Sequence, residues 1–120
     1  MHEMSLVRNV VHIVTEEAEA AGAAKVTKVH VVVGEGRDIV VDYFESLFRF
    51  LARGTVAEDA QVVIHTTPYT VRCNACGCEF HLIPVDRRTW TCPDCGAFRE
   101  YRLVSGTEFY ISKIEAARRT

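Results

Sequence analysis

The chain has 120 residues, 48% of them apolar and 25% charged, with a formal net charge of −2. A chain of that length buries roughly two thirds of its unfolded surface, enough for one modest core or for one core with a small insert. The near-neutral charge gives no electrostatic reason to expect nucleic acid or an anionic membrane, and the longest apolar runs are far too short to span a bilayer.

In the first segment, Leu6, Val7, Val10, Val11, Val14, Ala18 and Ala21 recur at intervals of three and four. That stripe predicts an amphipathic helix. Ser5 is its expected N-cap and Gly22 its stop, with Met1 to Met4 as a short extended arm ahead of it. No leader of basic residues, apolar stretch and cleavage site opens the sequence, so the chain is read as cytoplasmic.

The β-branched stretch Lys25 to Val33 predicts a strand ending at a glycine. "GEGRD" reads as a loop, with Asp38 as cap of a second helix over Ile39 to Arg53. There Val40, Tyr43, Phe44, Leu47, Phe48 and Leu51 return to helical spacing, and Gly54 ends the helix. Tyr43, Phe44, Phe48 and Phe50 are expected in the core, with at most one exposed. "AQVVIHTT" is a second strand closed by Pro68.

The texture then changes to a module rich in Cys, Gly and Arg, too poor in apolar residues to carry a large core. "TEFYISKIEA" after it reads as a strand, and the closing "ARRT" is expected to fray. A strand beyond the module implies an insertion. The expected fold is α+β: a small domain of two helices and a three-stranded mixed sheet, residues 1–69 plus 107–120, with a ribbon module inserted at 70–106.

All five cysteines lie between Cys73 and Cys95. An odd, clustered set argues against a disulfide framework and, in a reducing compartment, for metal. "CNACG" and "CPDCG" are both C-x-x-C-G. That spacing lets one tight turn aim two sulfurs at one ion, and the following glycine supplies the positive φ the turn needs. Two such turns give the four sulfurs of a tetrahedral zinc site: Cys73, Cys76, Cys92 and Cys95. With no open position, such a site is structural and helps fold a module short of apolar burial. The same four sulfurs suit iron, so an electron-transfer protein remains a rival. A thioredoxin-type redox pair needs one C-x-x-C opening a helix, which is absent here. Cys78 is read as a bystander.

Residues 71–120 hold eight Arg or Lys and six Asp or Glu. Four thiolates on one divalent zinc cancel that excess. Arg72, Arg87, Arg88, Arg99 and Arg102 are therefore read as a solvated or protein-docking face rather than a nucleic-acid site.

The opening "MHE" raises a second metal question. An α-amine, the amide nitrogen of residue 2 and the Nδ1 of His2 close adjacent five- and six-membered chelate rings around one ion. Displacing the amide proton requires a metal that favours planar nitrogen donors, as Ni²⁺ and Cu²⁺ do. Glu3, another side chain or water supplies the fourth donor. The plain alternative is a chance histidine in solvent.

These pieces together resemble the HypA/HybF family of hydrogenase nickel-incorporation proteins. The resemblance rests on "MHEMSL", "KVTKVHVVVGE", the aromatic helix ending in "RGT", the two C-x-x-C-G motifs and "SGTEFYISKIE", and spans essentially the whole chain. It implies a nickel metallochaperone and not an enzyme. Nickel would bind at Met1, His2 and Glu3, and structural zinc at Cys73, Cys76, Cys92 and Cys95. The implied partners are the maturation GTPase HypB and the large-subunit precursor of [NiFe]-hydrogenase, with urease served by some members. Neither nucleic acid nor membrane is expected, and the chain is read as a monomer or weak homodimer. An interaction module built on the zinc ribbon, binding protein or nucleic acid without nickel function, is the alternative.

Among the other histidines, His12 is expected in solvent, His30 and His65 packed or half-buried in strands, and His81 near nickel only if the ribbon folds back. No Ser/His/Asp set, P-loop or dinucleotide fingerprint is present.

Overall fold

The computed structural model describes residues 2–37 and 41–118, with side chains at 4–37 and 43–118. The element order is α1 (His2–Ala20), β1 (Ala23–Gly34), α2 (Val41–Leu51), β2 (Gln61–Thr67), β3 (Thr70–Cys73), β4 (Glu79–His81), a 3₁₀ turn (Arg87–Trp90), β5 (Tyr101–Ser105) and β6 (Phe109–Arg118). Two compact units emerge. One comprises Met1–Val32, Ile39–His65 and Tyr110–Thr120, and the other Val33–Asp38 and Thr66–Phe109.

The first unit is two helices and a mixed sheet in the order β2-β1-β6, so the last strand returns beside the first, as an insertion requires. Val7, Val10, Val11, Val14 and Ala18 of α1 are buried, and α1 packs against α2. Phe44 and Phe48, one helical turn apart, are fully buried, as are Val26, Val29 and Val31 of β1. Tyr43 and Phe50 are both exposed, at 60% and 55%. The core thus takes two of the four aromatics rather than at least three. The reason is angular: successive residues on a helix point about 100° apart, so Tyr43 and Phe50 cannot share the buried face of α2 with Phe44 and Phe48. Arg53 covers the Phe50 ring at 4.4 Å.

Helix α1 begins at His2, which removes the extended arm and the capping role of Ser5. Nothing in "HEM" stops a helix, and an acidic residue in the first turn complements the helix dipole. The C-terminus ends as expected: the N–H groups of Ala21 and Gly22 return to Glu17 and Glu19, and Gly22 takes φ +70°. Asp38 as a cap and Val40 in the second apolar stripe lie outside the described residues. Strand β6 continues through Ala117 and Arg118, so the expected fraying does not reach them.

The second unit is a sheet in the order β4-β3-β5. Strand β3 pairs antiparallel with β4, Thr70 opposite His81, and with β5, Cys73 opposite Tyr101. These short strands were not visible in the sequence. The turn Glu35–Arg37 belongs to this unit through backbone bonds from Glu35 to Thr67, 2.9 Å, and from Gly36 to Gly106, 2.7 Å. Gly34 and Gly106 permit this crossing. A Cβ on Gly34 would sit 2.1 Å from the Gly106 carbonyl carbon, and Gly106 has φ +114°.

Candidate metal centre

Two turns of the second unit repeat one hydrogen-bond plan. At the first, the N–H of Cys73 donates to Cys78 O, 2.8 Å, and that of Gly77 to Cys73 O, 2.9 Å. At the second, Cys92 donates to Ala97 O, 2.9 Å, and Gly96 to Cys92 O, 3.0 Å. Gly77 and Gly96 both take positive φ, +81° and +76°. The C-x-x-C-G spacing therefore produces the turn expected of it. Strand β3 delivers Cys73 into the first turn, and the Thr91–Phe98 bridge closes the second.

The four sulfurs Cys73, Cys76, Cys92 and Cys95 lie within 4.8 Å of one another. Cys73 Sγ is 3.6 Å from Cys95 Sγ, and Cys76 Sγ is 3.5 Å from Cys92 Sγ. Those separations are far longer than the roughly 2.05 Å of a disulfide. They are close to the ~3.8 Å edge of a tetrahedron with metal–sulfur bonds of about 2.3 Å. Cys73 and Cys92 are buried, while Cys76 and Cys95 are exposed. Cys78 stays out of the cluster, its Sγ 3.5 Å from Glu79 O.

Backbone amides feed the sulfurs. Ala75 N–H points at Cys73 Sγ, 3.4 Å. The backbone N–H of Cys95, against the cost of burial and helped by Asp94, draws the Cys92 thiol down to about 6. At Cys76 the backbone N–H of Cys78 acts the same way, but hydrogen bonds with the neighbouring thiols and desolvation outweigh it and push the thiol up to about 12. One sulfur ionises readily and its neighbour resists, which is what crowded thiols do. A divalent cation supplies the charge that lets the others follow. The donor chemistry and spacing fit a four-coordinate thiolate metal.

His81 Nε2 lies 2.7 Å from Glu35 Oε1 within the second unit, and that hydrogen bond holds the Glu35 carboxyl below its ordinary range. Sequence reasoning missed Glu35, because 46 residues separate it from His81 and no local pattern links them. His12 is exposed beside Glu16 on α1, as expected. His30 and His65 meet each other in the first unit. At the amino terminus, His2 and Glu3 open α1. Met1 and the side chains of His2 and Glu3 lie outside the described residues.

No helix among the described residues is long and apolar enough to cross a membrane. A family model described as hydrogenase/urease nickel incorporation, metallochaperone, matches residues 1–116. The hydrogenase maturation factor HypA of Chlorobaculum tepidum is 39% identical over 92% of this chain and 95% of its own. That of Lawsonia intracellularis is 36% identical over 96% and 98%. The solution structure of the nickel metallochaperone HypA from Helicobacter pylori shares the fold at TM-score 0.64 and 23% identity, covering 98% of both chains. A second HypA solution structure does so at 0.70 and 24%, covering 99% of this chain and 98% of its own. The chain belongs to the HypA family of nickel-incorporation metallochaperones.

Proposed function

We propose that this chain carries Ni²⁺ for the maturation of a nickel enzyme, [NiFe]-hydrogenase in the first instance and urease as the other candidate. It acts as a carrier and not as an enzyme. The observation that carries the reading is the family match, which takes in the amino-terminal triplet along with the cysteine turns. The cargo binds at Met1, His2 and Glu3, through the terminal amine, the His2 amide nitrogen and the His2 imidazole, with Glu3 as a further donor.

The start of α1 supports this. The first four N–H groups of a helix lack an intrahelical acceptor, so the His2 amide loses its proton to a metal without breaking a helix bond. The positive end of the helix dipole opposes a cation there, which keeps affinity modest and suits release. Protons leave as nickel enters, so acid favours unloading.

Cys73, Cys76, Cys92 and Cys95 hold the resident metal, zinc. It supplies no reaction chemistry; its thiolate bonds fix the two turns and the faces around them. The domains follow: a nickel-binding domain at 1–69 plus 107–120 and a zinc ribbon at 70–106. The compartment is the cytoplasm, and the partners by resemblance are the GTPase HypB and the hydrogenase large-subunit precursor.

Ni²⁺ titration of the His2→Ala protein tests the reading: binding at the terminus is lost while the amide spectrum of the rest of the chain stays unchanged. Binding retained at the terminus removes the site. One feature favours the rival interaction module, the face where Arg87 and Arg99 lie 5.6 and 5.9 Å from the Trp90 ring. A protein that ignores Ni²⁺ yet retards an oligonucleotide at low salt would be that module.

A further inference from the structure

The four clustered sulfurs of the second unit differ in their access to solvent. In each C-x-x-C-G turn the first cysteine, Cys73 or Cys92, is buried, and the second, Cys76 or Cys95, is exposed. The close approaches run across the turns. Cys76 Sγ lies 3.5 Å from Cys92 Sγ, and Cys95 Sγ lies 3.6 Å from Cys73 Sγ. Each exposed sulfur of one turn therefore has a buried sulfur of the other turn beside it. Cys78 is not one of the four; its Sγ lies 3.5 Å from Glu79 O.

That arrangement has a chemical consequence. A thiolate is the nucleophilic form of cysteine, and an accessible thiolate next to a second, resolving thiolate is what a hydroperoxide oxidises to a disulfide. Four thiolates on one divalent ion leave an excess of negative charge on sulfur, so binding a metal does not remove that nucleophilicity. Closing either crossed pair to the roughly 2.05 Å of a disulfide needs a movement of about 1.5 Å.

We infer that Cys76 and Cys95 are the sites at which a hydroperoxide oxidises this chain, and that Cys92 and Cys73 resolve them across the two turns, displacing the ion held there. The identity of that ion rests on the proposed zinc site. The Cys76 thiolate attacks one peroxide oxygen; the O–O bond breaks, hydroxide leaves, and the sulfur, having given up two electrons, becomes a sulfenic acid. The Cys92 thiolate then attacks that sulfur. The S–O bond breaks, a second hydroxide leaves, and the S–S bond forms. Cys95 and Cys73 repeat the sequence with a second peroxide. Four thiolates and two hydrogen peroxide molecules thus give two disulfides and four hydroxides. Each disulfide removes two donors, so the ion loses its site. The two turns stay joined, by sulfur–sulfur bonds in place of a shared metal, and a dithiol reductant restores the four ligands.

The test uses the full-length, reduced protein loaded with Zn²⁺. Metal content measured before any oxidant is added tests the zinc site by itself, so that reading and this one fail separately. Two molecules of hydrogen peroxide per chain are added, released ion is followed with a chromophoric chelator, and remaining thiols are alkylated. Cleavage after arginine yields residues 73–87 and 89–99 as separate peptides unless a disulfide joins them. The expected result is release of the ion, the two peptides joined, fragmentation assigning Cys76–Cys92 and Cys73–Cys95, and Cys78 alkylated. Cys78→Ser, which leaves all four ligands in place, changes neither the release nor the pairing. Separate peptides with Cys73–Cys76 and Cys92–Cys95 bridges, a bridge to Cys78, or sulfur oxidation with the ion retained overturns the inference.

Discussion

The two units reach stability by different routes. In the first, Phe44, Phe48 and a set of valines from α1 and β1 are fully buried, and burial of that kind is worth roughly 1.5–3 kcal/mol per large side chain. In the second, Val33, Val71 and Leu82 are the buried large aliphatics among the described residues, and two of the other buried side chains are Cys73 and Cys92. The ribbon substitutes sulfur for hydrocarbon. On the proposed reading, a metal on those sulfurs pulls together what the hydrophobic effect alone would leave loose.

Removing the metal gives the largest separation between them. A chelator strong enough to strip the proposed zinc, or Cys73→Ser, is expected to erase amide protection across β3, β4 and β5 while leaving that of α1 and β1. Loss of protection in both units at once would mean that the first also depends on the metal. The converse cut is Phe48→Ala. It should destabilise the first unit by about 3–5 kcal/mol in urea unfolding and leave zinc content at one per chain.

Next comes Gly106→Ala. A Cβ there would lie 2.4 Å from Tyr69 Cα at φ +114°, so the crossing of the second unit must open. A loss of at least about 2 kcal/mol is expected, measured by the denaturation midpoint, with the four-sulfur site still loading. Acid has a smaller effect. Hydrogen bonds from Thr67 Oγ1 and the Gly106 N–H hold Glu108 below its ordinary 4.5. The folded chain therefore binds that proton less readily than the unfolded one. The contribution is complete above about pH 4.5 and drains away as pH falls below it. Glu108→Gln should flatten this acid limb of the stability curve. Smallest of all, Phe50→Ser on the exposed side of α2 should change stability by no more than ~0.5 kcal/mol.

The contrast also explains what was legible beforehand. Helical spacing announced α1 and α2, and β-branched runs announced β1 and β2, because those elements bury a regular face. The C-x-x-C-G turns were legible because each is local: cysteine, cysteine and glycine within five residues set the whole hydrogen-bond plan. Strands β3, β4 and β5 left no pattern, since strands of four, three and five residues are too short to carry much alternation. The start of α1 was misplaced because a good cap residue, Ser5, stood inside a helix that had no reason to wait for it. Glu35 and Glu115 escaped notice because each meets its histidine only through the sheet topology, across 46 and 85 positions.

Nickel carriage is tested most directly at the terminal nitrogen. Ni²⁺ is titrated calorimetrically into the protein with its four-sulfur site loaded, once with a free amino terminus and once with that terminus acetylated. The account predicts one ion bound with proton release in the first case and none in the second. Equal binding with and without the acetyl group would contradict it.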